Sequence, residues 1–209
     1  MSGLLRDQRG LTLIEVSLML LASATFMAAL APSIRAVVFK AQTTAATTYM
    51  NQIVTAVNAS IGTVGETGCR RFRSSGGCNG PNVSLIVTDG DMPTRCVAAT
   101  GCGGGVSSWN RLVNGTTIDF LERHIVTNNP GGNPANNYPI GNWKGAYMNA
   151  PIDPDPWGNR YMLNVEYMNN FPNSVWVLSA GPDETISTIF TAVWPVAVGG
   201  DDLAVRVEQ

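Results

Sequence analysis

Residues 11–34 read LTLIEVSLMLLASATFMAALAPSI, a run whose single charged side chain is Glu15. About 20 apolar residues carry a helix across a hydrocarbon layer, so this stretch can be buried end to end. Arg6 and Arg9 precede it and the next charge is Arg35. Basic residues ahead of a span favour a cytoplasmic N-terminus. A carboxylate inside the span costs about 2.5–3.5 kcal/mol on insertion scales, which marks a function beyond anchorage. A cleaved signal peptide would use Ala29 and Ala31 as its small-residue site, yet Pro32 would follow the cut and Glu15 would have no role. A plain transmembrane anchor leaves Glu15 equally without purpose.

The stretch RGLTLIE, residues 9–15, gives each feature a place. It resembles the processing site of type IV prepilins and pseudopilins. The resemblance implies that residues 1–10 are a leader, that a prepilin peptidase cuts after Gly10, and that the new N-terminal Leu11 is methylated. The family more often has Phe or Met where this chain has Leu11. Cleavage creates a cationic amine at Leu11, with Glu15 in the first turn or so of the mature helix. A carboxylate there suits the helix dipole and can neutralise the amine of a neighbouring subunit, since a buried charge is far less costly when paired. Many family members also carry a proline near Pro32. Proline removes a helix hydrogen bond and is tolerated in bilayer helices as a kink; the resemblance implies local melting here during assembly.

Beyond Pro32 the pattern turns amphipathic. Ile34, Val38, Ala45, Tyr49, Ile53, Val57 and Ile61 recur at helical spacing, while Thr44, Thr48, Asn51, Thr55 and Asn58 fill other positions. Gly62 and Gly65 end the pattern. One helix over roughly residues 12–61 would be about 75 Å long. Residues 11–34 would be its membrane and polymerisation half, and residues 35–61 the half that lays a stripe on a globular head spanning 62–209.

Residues 62–108 are rich in Gly and Ser and hold Cys69, Cys78, Cys96 and Cys102. There is no C-x-x-C and His124 is the only histidine, so zinc is disfavoured. An even cysteine count outside the cytoplasm reads as two disulfides, with three pairings open. Val83–Val87 is an expected strand and Asp89–Asp91 a turn. Arg70, Arg71 and Arg73 make a basic cluster, read as part of a solvated loop, with contact to a neighbouring subunit or to DNA as the alternatives. The chain has 13% charged residues against a usual share of about 25%. Its net charge is −2, which argues against a nucleic-acid partner bound by bulk electrostatics. Low charge with 44% hydrophobic residues also argues against disorder.

Further on, IDFLERHIV (118–126) has helical spacing at Ile118, Leu121 and Ile125, with His124 a surface or partly buried helix residue. Residues 160–168 and 174–180 read as two strands, the second alternating Val175, Val177, Ser179 against Trp176, Leu178, Ala180 in an antiparallel manner. LAVRVEQ alternates like a last strand. Between them, GNWKGAYMNAPIDPDPWGNRYML (141–163) resembles the C-terminal region of the type II secretion major pseudopilin. Trp143 and then Asp155, Pro156, Trp157, Gly158, Asn159 and Tyr161 carry that likeness. Prolines fix the backbone there, Gly158 and Asn159 tolerate left-handed conformations, and the aromatic rings supply buried area. Asp153 and Asp155 flank Pro154 on a rigid loop, which disfavours a shared acid–base geometry. Without a nucleophile–histidine pair or a phosphate loop, the expectation is a chain with no catalytic residues.

SAGPDE (179–184) and GGDDL (199–203) resemble the two parts of that family's calcium loop. The resemblance implies Ser179, Asp183 and Asp201 or Asp202 as ligands, oxygen donors of the kind calcium prefers. Here Glu184 replaces a small residue, and TIFTAVWPVAV separates the halves. Together these readings imply an α+β, pilin-like ladle: a long N-terminal α-helix on a small antiparallel sheet, with a disulfide-bearing loop inserted. They imply a structural filament subunit in the bacterial inner membrane with its head in the periplasm. Its partners would be its own copies, other pilin-like subunits, the prepilin peptidase and an inner-membrane assembly platform. A type II pseudopilin is the first reading; a type IV pilin or minor pilin, or an anchored module that never polymerises, are the others.

Overall fold

The computed structural model describes residues 12–61, 83–95, 109, 117–138, 143–168, 175–190, 195 and 197–207. It is an α+β protein with a long N-terminal helix and a mixed five-stranded sheet. Helix α1 runs Leu13–Ile61 without interruption, Pro32 included. Its Ala, Leu and Met content favours the helical backbone locally. By packing, residues 1–42 and 43–209 are separate units.

In the first unit α1 is exposed from Leu13 to Ala41. In the second, Ala46, Met50, Ile53, Val54, Val57 and Ser60 are buried. This is the i, i+4, i+7 stripe of a helix laid on a core. The stripe is rotated slightly from the expected one. Ala45 is exposed and Ala46 takes its place, and Ile34 and Val38, expected to share the stripe, lie exposed in the first unit.

The strands are β1 (Val83–Val87), β2 (Thr94–Arg95), β3 (Thr117–Phe120), β4 (Met162–Leu163), β5 (Val175–Ser179), β6 (Thr185–Ile186) and β7 (Leu203–Val207). The main sheet has the order β3-β1-β4-β5-β7, and β2 pairs with β6 alone. The expected antiparallel sheet is therefore corrected to a mixed one. β4, β5 and β7 pair antiparallel, but β1 and β3 are parallel. A parallel pair needs a crossover of a dozen or more residues, and Val87 and Thr117 are far enough apart in sequence to allow one.

Every residue of β1 and β5 is buried, because the sheet is covered on both faces. Ile86, Leu163, Val175, Val177 and Val207 pack with the α1 stripe. Leu85, Val87, Met162, Trp176 and Leu178 pack instead with Trp109, Ile186 and Phe190. Thus the alternation in β5 sorts residues between two cores, not between core and water. A register irregularity between Val83 and Leu85 lets Val83 and Ile86 reach the same face.

Two segments differ from expectation. Residues 118–126 were expected to be one helix. Instead β3 runs to Phe120 and α2 covers only Leu121–Ile125. The β1 neighbour holds Ile118 and Phe120 extended toward the second core, while Leu121 and Ile125 enter the first. The expected strand at 160–168 is only β4, followed by a 3-10 turn at Val165–Tyr167. There the Asn164 side chain accepts from the Trp176 amide at 2.8 Å, taking the place of a ladder bond.

Candidate functional site

Three groups of residues carry the chemistry. The first is the entry to α1. Thr12 and Glu15 form a reciprocal cap. The Glu15 amide donates to Thr12 Oγ1 at 3.3 Å, while the Thr12 amide and hydroxyl donate to Glu15 Oε2 at 2.8 and 2.9 Å. This is the capping box, which satisfies orphan donors of the first turn. The signal T-L-I-E stood in the sequence ahead of an apolar run, but attention to charge alone missed it. Further along, Ser17, Ser23 and Thr25 donate to the carbonyls of Leu13, Met19 and Ala22 at 2.7–2.9 Å. Their hydroxyls are thereby satisfied within the helix, as a lipid environment requires. Leu13, Leu20, Phe26 and Met27 are each more than 60% exposed. The helix is long and apolar enough to cross a membrane. Gly10 and Leu11, the expected processing pair, lie outside the described residues, as do Cys69, Cys78, Cys96, Cys102 and the arginine cluster.

The second group is the loop from Asp155 to Tyr161. Asp155 is its hub. Oδ1 accepts from the amides of Trp157 at 3.0 Å and Asn159 at 2.9 Å, and Oδ2 from the Ser179 hydroxyl at 2.7 Å. Burial raises its carboxyl above the ordinary range, an effect these donors offset only in part. Gly158 takes φ +94, beyond the comfortable range of an L side chain. Asn159, expected to tolerate such a conformation, does not adopt it; its amide is held by Asp155 instead. Pro156 is exposed, Trp157 half-buried and Tyr161 buried, its ring 5.7 Å from that of Tyr49 on α1. Trp143 Nε1 donates to the His124 carbonyl at 3.1 Å. Asp153 is exposed and Asp155 is buried, so the two carboxylates stand in different environments.

The third group is acidic. The structure brings Asp183 and Asp201 together. Asp201 Oδ2 accepts from the Asp183 amide at 3.0 Å, and burial followed by the facing Asp183 carboxylate raises the Asp201 carboxyl. Asp202 is turned elsewhere, its Oδ2 accepting from Ser187 and Thr188 amides at 3.0 and 2.7 Å. Its Oδ1 is buried without a partner among the described residues, and burial holds the carboxyl up at about 6. Ser179 is not part of this cluster, because its hydroxyl is committed to Asp155. Among the described residues no three Asp, Glu, His or Cys groups converge as metal ligands. Of the expected ligands only Asp183 and Asp201 lie together, and Asp183 Oδ1 also accepts from the Thr185 amide at 2.7 Å.

The sequence also concealed a buried network. His124, read as a surface or partly buried residue, is 1% exposed. Its Nε2 meets Asp119 Oδ2 at 2.9 Å and its Nδ1 meets the Tyr138 hydroxyl at 2.7 Å. Asp119 also accepts from Gly131, Phe120 and Arg123, and its carboxyl sits at about 2 because these donors and His124 outweigh its burial. An anionic Asp119 assigns the Nε2 proton, leaving Nδ1 to accept from Tyr138. Asp119, His124 and Tyr138 are buried, while the Arg123 side chain is 38% exposed. Comparison with protein-family models, curated proteins and solved structures finds no match.

Proposed function

We propose that the chain is a non-enzymatic subunit of a type IV pilus-like filament, most closely of the type II secretion pseudopilin kind. The observation that carries this reading is an exposed apolar helix with Glu15 capped at its entry, continued by a stripe that anchors an α+β head. An exposed apolar surface of this length demands cover. Lipid supplies it before assembly, and the same segments of other copies supply it afterwards. Glu15 is then the group that meets the new amine of Leu11 on a neighbour. The capping box would serve a monomeric anchor equally; loss of polymer in Glu15→Ala is what separates the two readings.

On this reading the prepilin peptidase removes residues 1–10, the N-terminus is cytoplasmic and the head is periplasmic. Calcium, if the subunit uses it, is held by Asp183 and Asp201, where it would offset two facing carboxylates and tie the turn after β5 to the one before β7. The test is co-expression of the full chain with a prepilin peptidase and an assembly platform. Intact mass should fall by residues 1–10 with a methyl group gained, and sheared cell-surface or periplasmic fractions should hold polymer. An uncleaved, monomeric chain under these conditions overturns the reading. Placement of the coding region beside a secretin and secretion ATPase favours secretion; a retraction ATPase favours a pilus.

A further inference from the structure

Within the second unit, the outer face of α1 and the stretch 147–153 enclose a cleft of about 670 Å³. Thr48, Gln52 and Thr55 line one side; Tyr147, Met148 and Pro151 line the other. Asp153 stands at the cleft with its carboxylate exposed. The Asp153 amide donates to Tyr49 Oη at 2.9 Å, so the backbone is fixed while the acid stays available.

In the first unit, Ile34, Val37, Val38 and Ala41 fall at i, i+3, i+4 and i+7 and are all exposed. That spacing makes one apolar helical stripe. Counted from Leu13, the residues up to Ile34 already match a hydrocarbon layer of about 30 Å at about 1.5 Å per residue. Lipid tails therefore reach Ile34 and leave Val37, Val38 and Ala41 without cover. Arg35 lies beside Val38 on the helix surface and makes no ion pair among the described residues.

We propose that the Ile34–Ala41 stripe of one copy docks in the Thr48–Asp153 cleft of another, with Arg35 paired to Asp153. The proposal rests on the filament reading and names the contact that would build it. Charge supports a copy of this chain as the occupant. Beyond Glu15 the helix carries only cations, Arg35 and Lys40, whereas residues 62–209 hold 9 Lys or Arg against 13 Asp or Glu, a net of 9 − 13 = −4. Joining these surfaces on two copies makes a head-to-tail contact between unlike faces, and such contacts propagate into open polymers unless the rotation closes a ring.

The test uses the full chain in cells carrying the assembly machinery, with a photo-crosslinking residue at Val38. The expected product is an oligomer ladder whose adducts map by mass spectrometry to residues 48–59 or 147–153 of another copy. In the same background, Arg35→Asp and Asp153→Arg should each cut the ladder at least tenfold, and the double exchange should restore most of it. Adducts confined to other segments of a neighbouring copy overturn the docking while leaving a ladder, and hence the filament, in place. Single variants that assemble normally, or a double variant no better than either single, overturn the Arg35–Asp153 pairing. Loss of the ladder from the unsubstituted chain overturns docking and filament together.

Discussion

Replacing Asp155 isolates what its two oxygens do. In Asp155→Ala, three donors lose their acceptor: the amides of Trp157 and Asn159 and the hydroxyl of Ser179. Trp157 is half-buried and its amide can recruit water; Asn159 and Ser179 are 3% and 0% exposed and cannot. Each stranded buried donor costs about 1–3 kcal/mol. Part of that is offset because burial already penalises the Asp155 charge. The expected net loss is about 2–4 kcal/mol. Asp155→Asn should cost about 1 kcal/mol or less, since its carbonyl still faces the two amides and its NH₂ can donate to Ser179. The assay is urea unfolding of the detergent-solubilised full chain, followed by tryptophan fluorescence. The midpoint should move with the slope unchanged, and thermal midpoints should fall by about 2–4 °C for each kcal/mol lost. An alanine variant within about 0.5 kcal/mol of the parent refutes the accounting. So does an asparagine variant as damaging as alanine, because charge and not acceptor geometry would then hold the loop.

Other expectations follow from the same structure. Ile53→Ala should destabilise the head by about 2–5 kcal/mol, as core truncations do, while Val37→Ala should leave its unfolding midpoint unchanged. Glu15→Ala should still insert and be cleaved yet yield little polymer in shearing assays; normal filament yield would count against the role given to Glu15. Burial lowers the His124 pKa in the folded state. The folded chain therefore binds fewer protons than the unfolded one below about pH 6.5, and stability should fall as pH drops through that region. In His124→Gln that slope should flatten when unfolding is measured from pH 7 to 5. Asp202 has the opposite sign. Its folded carboxyl at about 6 stands above the unfolded value, so its contribution is present near pH 4 and lost as pH rises through 6. Asp202→Asn should remove that decline. A calorimetric titration of calcium should give heat that Asp201→Asn abolishes; no heat in the parent chain removes calcium from the proposal.

What the sequence revealed and what it hid divide along the range of the interactions. The extent of α1, residues 12–61 expected against Leu13–Ile61 found, follows from an uninterrupted apolar and helix-favouring run. Strands β1, β5 and β7 carry dense apolar or alternating patterns and were readable for the same local reason. Residues 117–120 were not, because Ile118, Leu121 and Ile125 fit a helix equally well until β1 lies alongside. Trp109 had no local signature; its burial depends on Trp176 and Phe190, with ring centroids 6.0 and 4.8 Å away, and on the Thr188 carbonyl. Among the candidate ligands, Asp183 and Asp201 meet across eighteen positions of sequence, whereas Ser179 is drawn off by Asp155, a residue singled out for a different motif. His124 looked isolated because both its partners, Asp119 and Tyr138, are residue types that seldom announce a pairing.

The unbroken passage of α1 through Pro32 has a mechanical consequence. Backbone hydrogen bonds in a helix run nearly parallel to its axis, so a tensile load is borne turn by turn, in series. Proline supplies no amide, and the turn that ends at Pro32 carries one bond fewer than its neighbours. The side chains holding α1 to the sheet, among them Met50, Ile53 and Val57, are instead loaded together in shear. Stretched along its axis, the rod should yield at Pro32 long before the head releases it. Single-molecule pulling should record an early, low-force extension that Pro32→Ala removes.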